Sequence, residues 1–116
     1  MWRDDAYLLD MLLYAKRARD FCKDVSLEAF LADEKLQLAT LYALQVVGEA
    51  ASKVSGEFQQ AHPEIPWPRI INLRHRLVHD YPRVEMPRVW SIVKEGIPAL
   101  IASLEVLVVP EEKGAE

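Results

Sequence analysis

Apolar positions recur with helical spacing along nearly the whole chain. Leu8, Met11, Leu12, Ala15, Ala18 and Cys22 fall within an arc of about 120° at the helical 100° per residue, which predicts a first helix. Asp4 or Asp5 is placed to cap its start, and Lys16, Arg17 and Asp20 give it a solvent side. A serine cap at Ser26 opens a short helical turn over residues 26–31. Asp33 then caps a longer second helix running to about Ser55 and Gly56, with Gly56 as its C-terminal stop. Leu36, Ala39, Ala43, Val46, Val47, Ala50 and Val54 form one stripe on it, and Leu38, Leu41, Tyr42 and Leu44 cover much of the rest. A helix apolar on most sides is buried on most sides, so this one is expected at the centre of the domain or at a subunit interface.

Prolines 63, 66 and 68 rule out regular helix through residues 61–68, which reads as a rigid connector. Pro68 suits the first turn of a third helix, from about Trp67 to Val78. Pro82 biases Tyr81 away from helical angles, so that helix is expected to end near His79 or Asp80. A fourth starts at Met86 or Pro87 and carries Val89, Ile92, Val93, Ile97, Leu100, Ile101, Leu104, Leu107 and Val108 on its apolar side. Because that pattern continues across Pro98, a kink is expected there rather than an end. The β-branched run around Val106–Val109 has no second strand to pair with and is read as a helix end. Four main helices and no sheet predict an all-α, antiparallel four-helix bundle.

At 116 residues the chain is expected to be a single domain over residues 1–109, with a loosely held tail at 110–116. Its first residues are acidic, unlike a secretory signal, and no apolar run is long enough to span a bilayer. The single cysteine, Cys22, forbids an internal disulfide and fits a reducing compartment, so a cytoplasmic location is expected.

A net charge of −4 argues against nucleic-acid binding by bulk charge. Its distribution changes that picture. Arg69, Arg74, Arg76, Arg83 and Arg88 lie within twenty residues against only Asp80 and Glu85, a local excess of +3 that leaves −7 on the rest. A local anion site on an acidic body fits this asymmetry, and so do solvated arginines that happen to be neighbours.

Asn72 to Tyr81 places a permanent cation, two imidazoles and a phenol within ten residues. Arginine can hold a phosphate by two hydrogen bonds and stabilise the charge that builds on its oxygens. Histidine can take the proton of an RNA 2′-hydroxyl or return one to the leaving oxygen. Arg74 and His79 are five positions apart, about 140° round a regular helix. A helix ending at His79 would let the imidazole turn toward Arg74 and leave Tyr81 exposed beyond it. A homodimer would double these groups. The structural alternatives are an ion pair from Arg74 to Glu49 or Asp80, and a histidine placed by the dipole at a helix C-terminus. His75 and His79, four apart, resemble half a zinc site. The glutamate of a metalloprotease helix and any nearby cysteine are missing, so no metal site is expected.

Arg74-x4-His79-x-Tyr81 resembles the motif of HepT-type toxins, a branch of the HEPN superfamily. Asp10-Met11-Leu12, Val47-Gly48-Glu49-Ala50-Ala51, His62-Pro63-Glu64-Ile65-Pro66-Trp67, Val89-Trp90 and Ile97-Pro98-Ala99-Leu100 also read like that family, in the same order. The resemblance covers roughly residues 4–108. It implies a four-helix homodimer with paired motifs lining an interface cleft. It further implies a metal-independent endoribonuclease, without cofactor, acting as the toxin of a toxin–antitoxin pair on an RNA substrate. The implied antitoxin is a minimal nucleotidyltransferase that transfers AMP to the motif tyrosine, in a complex that can be a larger hetero-oligomer. By position, Arg74 and His79 are the catalytic pair and Tyr81 the modification acceptor. His75, Arg76, Glu49 and Asp80 are supporting or substrate-positioning residues. Glu49 could orient Arg74 by ion pairing, or be a plain surface carboxylate. One departure stands out: the family most often has asparagine where this chain has His75. The alternative function is a non-catalytic helical dimer that binds nucleotide or docks a nucleotidyltransferase.

Overall fold

The computed structural model describes residues 2–79 and 83–108, and it is all-helical, with no strand among them. Among the described residues there are four long helical stretches: α1 (Trp2–Phe21), α3 (Glu34–Lys53), α5 (Trp67–His79), and a composite of α6 (Met86–Ser91), a π-helical turn (Ile92–Gly96) and α7 (Ile97–Glu105). Two short helices, α2 (Leu27–Leu31) and α4 (Gly56–Ala61), join them.

The local signals that start these helices act as their chemistry requires. Ser26 Oγ accepts from Ala29 N at 3.0 Å, and Asp33 Oδ1 accepts from Leu36 N at 3.0 Å, each satisfying an orphan donor of a first turn. A five-residue helix has no stability of its own. Phe30, fully buried with its ring 5.4 Å from that of Trp90, holds α2 down. Gln37 Nε2 donates to the carbonyls of Phe30 and Leu31 at 2.9 and 3.1 Å and closes its C-terminal end.

Two expectations are corrected, at Gly56 and at Asp4. Gly56 does not stop the second long helix. Val54 is extended, Ser55 caps a new helix that accepts Gly56 as its first residue, and no described glycine has a positive φ. The short helix α4 was not expected, and the connector after it is non-helical up to Pro66, as its prolines require. Across Pro98 the helical path continues rather than ending, as expected, and a π-turn stands just before it. A proline inside a helix cannot donate to the carbonyl four residues back. The π-turn just before it takes up the misfit, with Ile97 N donating to Ile92 O, and α7 continues with Pro98 in its first turn.

α3 packs against both α1 and α5, and α1 also packs against α7. α1 and α3 run antiparallel: Asp4 reaches Ser55 at one end, and Cys22 Sγ lies 3.6 Å from Thr40 Oγ1 at the other. The predicted α1 stripe is buried throughout, as are Val89, Val93, Ile97, Leu100, Ile101 and Leu104 on the last helical stretch. The second apolar face of α3 is divided. Leu41 and Leu44 are buried, whereas Leu38 and Tyr42 are 45% and 60% exposed. Among the described residues no helix is long and apolar enough to cross a membrane.

Asp4 does not cap its own helix, because α1 already begins at Trp2. It is buried, and accepts from Ser55 N at 2.9 Å and Ser55 Oγ at 2.7 Å, while that hydroxyl accepts from Phe58 N at 3.1 Å. One carboxylate thus ties α1 to the start of α4. The Ser55 backbone N–H holds the Asp4 carboxyl below its ordinary value of 3.8, with the Ser55 hydroxyl adding to this and burial opposing it. A depressed folded value means stability that is present above the unfolded value and lost as pH falls through the folded one. Asp4→Asn is therefore expected to melt earlier than the parent at neutral pH. The gap should narrow as pH falls from about 5 toward about 3. Melting curves across that range check this, and a gap independent of pH contradicts it.

Candidate functional site

α5 is positioned from its first turn. Trp67 is buried, and its Nε1 donates to His62 O at 2.9 Å, while His62 stacks on Phe58 with ring centroids 4.3 Å apart. From there the α3-facing stripe of α5 runs through Ile70, Arg74 and Leu77 at helical spacing. A guanidinium in an otherwise apolar stripe needs space and a counter-charge, and α3 supplies both at consecutive positions.

Gly48 supplies the space. A methyl group placed on it would overlap Arg74 Cβ, with Arg74 Cγ and Cα at 3.0 and 3.1 Å. The two helices therefore touch backbone to backbone at this point. Glu49 supplies the charge, its Oε1 2.9 Å from Arg74 Nη2. Lys53, one turn on, reaches the other oxygen of Glu49 at 3.4 Å. With Arg74 at 35% side-chain exposure and Glu49 at 42%, the pair contributes about 0–1 kcal/mol to stability. Its consequence is geometric: the guanidinium is held to α3 through Nη2. Arg74 Nε is buried with no hydrogen-bond partner among the described residues.

His75 and His79 are both exposed and lie against one another, ring centroids 4.2 Å apart and planes tilted by 47°. Arg69, Arg76, Arg83 and Arg88 are also exposed, and none has an ion-pair partner among the described residues. Asp80 and Tyr81 lie outside the described residues.

The structure brings together Arg74 with Glu49, and His75 with His79. It does not turn His79 toward Arg74, as the sequence led us to expect. α5 is regular through His79, so the two side chains leave it about 140° apart, and the neighbour one turn back from His79 is His75. Gly48 carried no assigned role in the sequence. The signal was available, since a glycine in the middle of a strongly helical pattern usually has a packing reason.

The cleft between the end of α1 and the π-turn, lined by Arg19, Lys23, Lys94 and Pro98 among others, contains none of these residues. Lys94 there donates to Cys22 O at 2.8 Å, where a cation suits the α1 C-terminus. Among the described residues no group of three or more His, Cys, Asp or Glu side chains is arranged to hold a metal.

The profile of the ribonuclease HepT-like family matches residues 11–107. The chain is 37% identical over 101 residues to a protein of Thermococcus cleftensis named "probable ribonuclease HepT", covering 87% of this chain and 92% of that one. It is 30% identical over 102 residues to a protein of Methanocaldococcus jannaschii named as an RNase, covering 88% of this chain and 94% of that one. A third relative, from Caldanaerobacter subterraneus and also named as an RNase, is 33% identical over 78 residues, 67% of this chain and 70% of that one. No solved structure matches the chain significantly.

Proposed function

The chain belongs to the ribonuclease HepT-like family, and from that premise we propose that it is a metal-independent endoribonuclease toxin silenced by AMP transfer to Tyr81. The observation that carries this reading is Arg74. A permanent cation in the helix–helix stripe, seated on Gly48 and held at one edge by Glu49, is poorly explained by stability and well explained by phosphate binding.

In the proposed reaction the His79 imidazole takes the proton of a 2′-hydroxyl. The 2′-oxygen attacks phosphorus, the bond from phosphorus to the 5′-oxygen breaks, and that oxygen takes a proton from an imidazolium. The products are a 2′,3′-cyclic phosphate and a 5′-hydroxyl. Arg74 stabilises the charge on the non-bridging oxygens. Glu49 orients Arg74, while Arg76, His75 and Asp80 help to hold the RNA backbone.

One chain points Arg74 and His79 in different directions, so the active species is a homodimer of four-helix bundles in which two copies of α5 face one cleft. The exposed Tyr42 and Leu38 lie on the Glu49-bearing helix, and Tyr42 packs edge-on to Tyr14 at 6.2 Å. They form the dimer contact in this account. Transfer of AMP joins the Tyr81 phenolic oxygen to the α-phosphorus of ATP and releases pyrophosphate. The new phosphodiester, two residues past His79, then competes with RNA for Arg74.

Coexpression tests the reading. In the cytoplasm of a host cell the chain alone should slow growth. With a nucleotidyltransferase encoded beside it, growth should recover, and the peptide holding Tyr81 should gain the mass of one AMP group. Tyr81→Phe should stay toxic in the presence of that partner. Full silencing of Tyr81→Phe, or toxicity unchanged by Arg74→Ala, contradicts it.

A further inference from the structure

We propose that His75 and His79 form a bidentate site for a late first-row divalent cation of the Zn²⁺, Ni²⁺ and Cu²⁺ class, and that filling it switches the ribonuclease off. Histidines four apart lie about 40° from each other on a helix, one turn up, the spacing at which two imidazoles can share one metal. The structure shows the two rings already together, centroids 4.2 Å apart, both on the solvent side of α5. Modest rotation about the side-chain bonds points a nitrogen of each at a common ion, with water completing the coordination sphere. Imidazole nitrogen suits Zn²⁺, Ni²⁺ and Cu²⁺ and not Mg²⁺ or Ca²⁺, and Cu²⁺ should bind most tightly.

This differs from a resident structural or catalytic metal, which requires three or four protein ligands. Two ligands make a site that fills and empties with the supply of free ion. Arg74 and Arg76 flank His75 in sequence, and their charge opposes a cation. Water screens that repulsion, and both arginines leave the helix about 100° to either side of His75. Binding itself stands on geometry alone. Its effect on cleavage rests on the catalytic role proposed for His79, since an imidazole nitrogen bound to metal cannot carry a proton.

The test is calorimetric titration of the untagged, unmodified full chain with Ni²⁺ at neutral pH, with Cu²⁺ and electron paramagnetic resonance as a ligand count. One Ni²⁺ per chain is expected, and two nitrogen ligands on Cu²⁺. His75→Asn should weaken Ni²⁺ binding at least about tenfold, equivalent to about 1.4 kcal/mol. His62→Asn, at the remaining histidine, should leave it unchanged. Equal affinity in the parent and His75→Asn, or a single nitrogen on Cu²⁺, overturns the site. The second arm adds Ni²⁺ to RNA cleavage: loss of cutting restored by EDTA is expected, and cutting that persists with the site filled overturns the switch. If Ni²⁺ binds through His75 but no RNA is cut under any condition, the ribonuclease reading fails and the metal site stands.

Discussion

His79→Ala is expected to lower RNA cleavage by about 10²–10⁴-fold, the usual contribution of a positioned general acid or base. The fold should be untouched. His79 is exposed, while α5 is anchored by the buried Trp67 and Leu77 on its other side. Substitutions at such positions usually move stability by no more than about 0.5 kcal/mol. Cleavage rates measured with melting curves on the same samples separate the two roles. A variant that melts much earlier than the parent makes His79 a structural residue, and one that cuts at the parent rate places the proton transfer elsewhere. Arg74→Lys should be nearly as inactive as Arg74→Ala. A lysine carries the charge but cannot hold Glu49 with one edge of a planar fork while presenting the other to phosphate.

Gly48→Ala is expected to damage both stability and activity, although Gly48 has no side chain to take part in the proposed chemistry. In a helix interior, alanine in place of glycine ordinarily stabilises by about 1 kcal/mol. Here the added methyl would overlap Arg74 Cβ, and neither backbone can yield without parting α3 from α5. Overpacking of this kind costs about 1–3 kcal/mol, and more where backbone must move. The net effect is a loss, and each kcal/mol lowers the melting midpoint of a domain this size by about 4 °C. Parting the helices also draws Arg74 away from Glu49, so cleavage should fall further than the lost stability explains. A Gly48→Ala protein as stable as the parent would mean the two helices do not touch at this point.

Much of the fold was legible because it rests on local rules. Ser26, Asp33 and Pro68 mark helix starts through hydrogen bonds and angles set within a few residues. The buried sets of α1 and α7 follow from periodicity alone. The misreadings came where a distant partner decides the outcome. Asp4 looked like a cap for its own helix, yet its hydrogen bonds go to Ser55, fifty-one residues away. Gly56 looked like a stop, but Ser55, supported by Asp4, starts another helix there instead. The π-turn before Pro98 is a compromise between a missing donor and a face that must stay buried, and no local pattern announces it.

The candidate site divides the same way. Residue types and spacing left Arg74 and His79 open between a chemical and a structural role, the family resemblance made them the expected pair, and Glu49 was one of two partners open to Arg74. Which partner it takes depends on the close approach at Gly48, a property of two helices and not of either alone. α5 has its last described residue at His79, but it stays regular up to that residue, so the ring meets His75 one turn back instead of turning toward Arg74.

The measurement that bears most directly on this account is RNA cleavage by the purified chain in excess EDTA, once mass spectrometry has shown Tyr81 free of AMP. The account predicts cutting under those conditions, products ending in 2′,3′-cyclic phosphate, and none from Arg74→Ala. An unmodified, folded dimer that leaves every RNA intact would contradict it and favour a helical module that binds nucleotide or docks a nucleotidyltransferase.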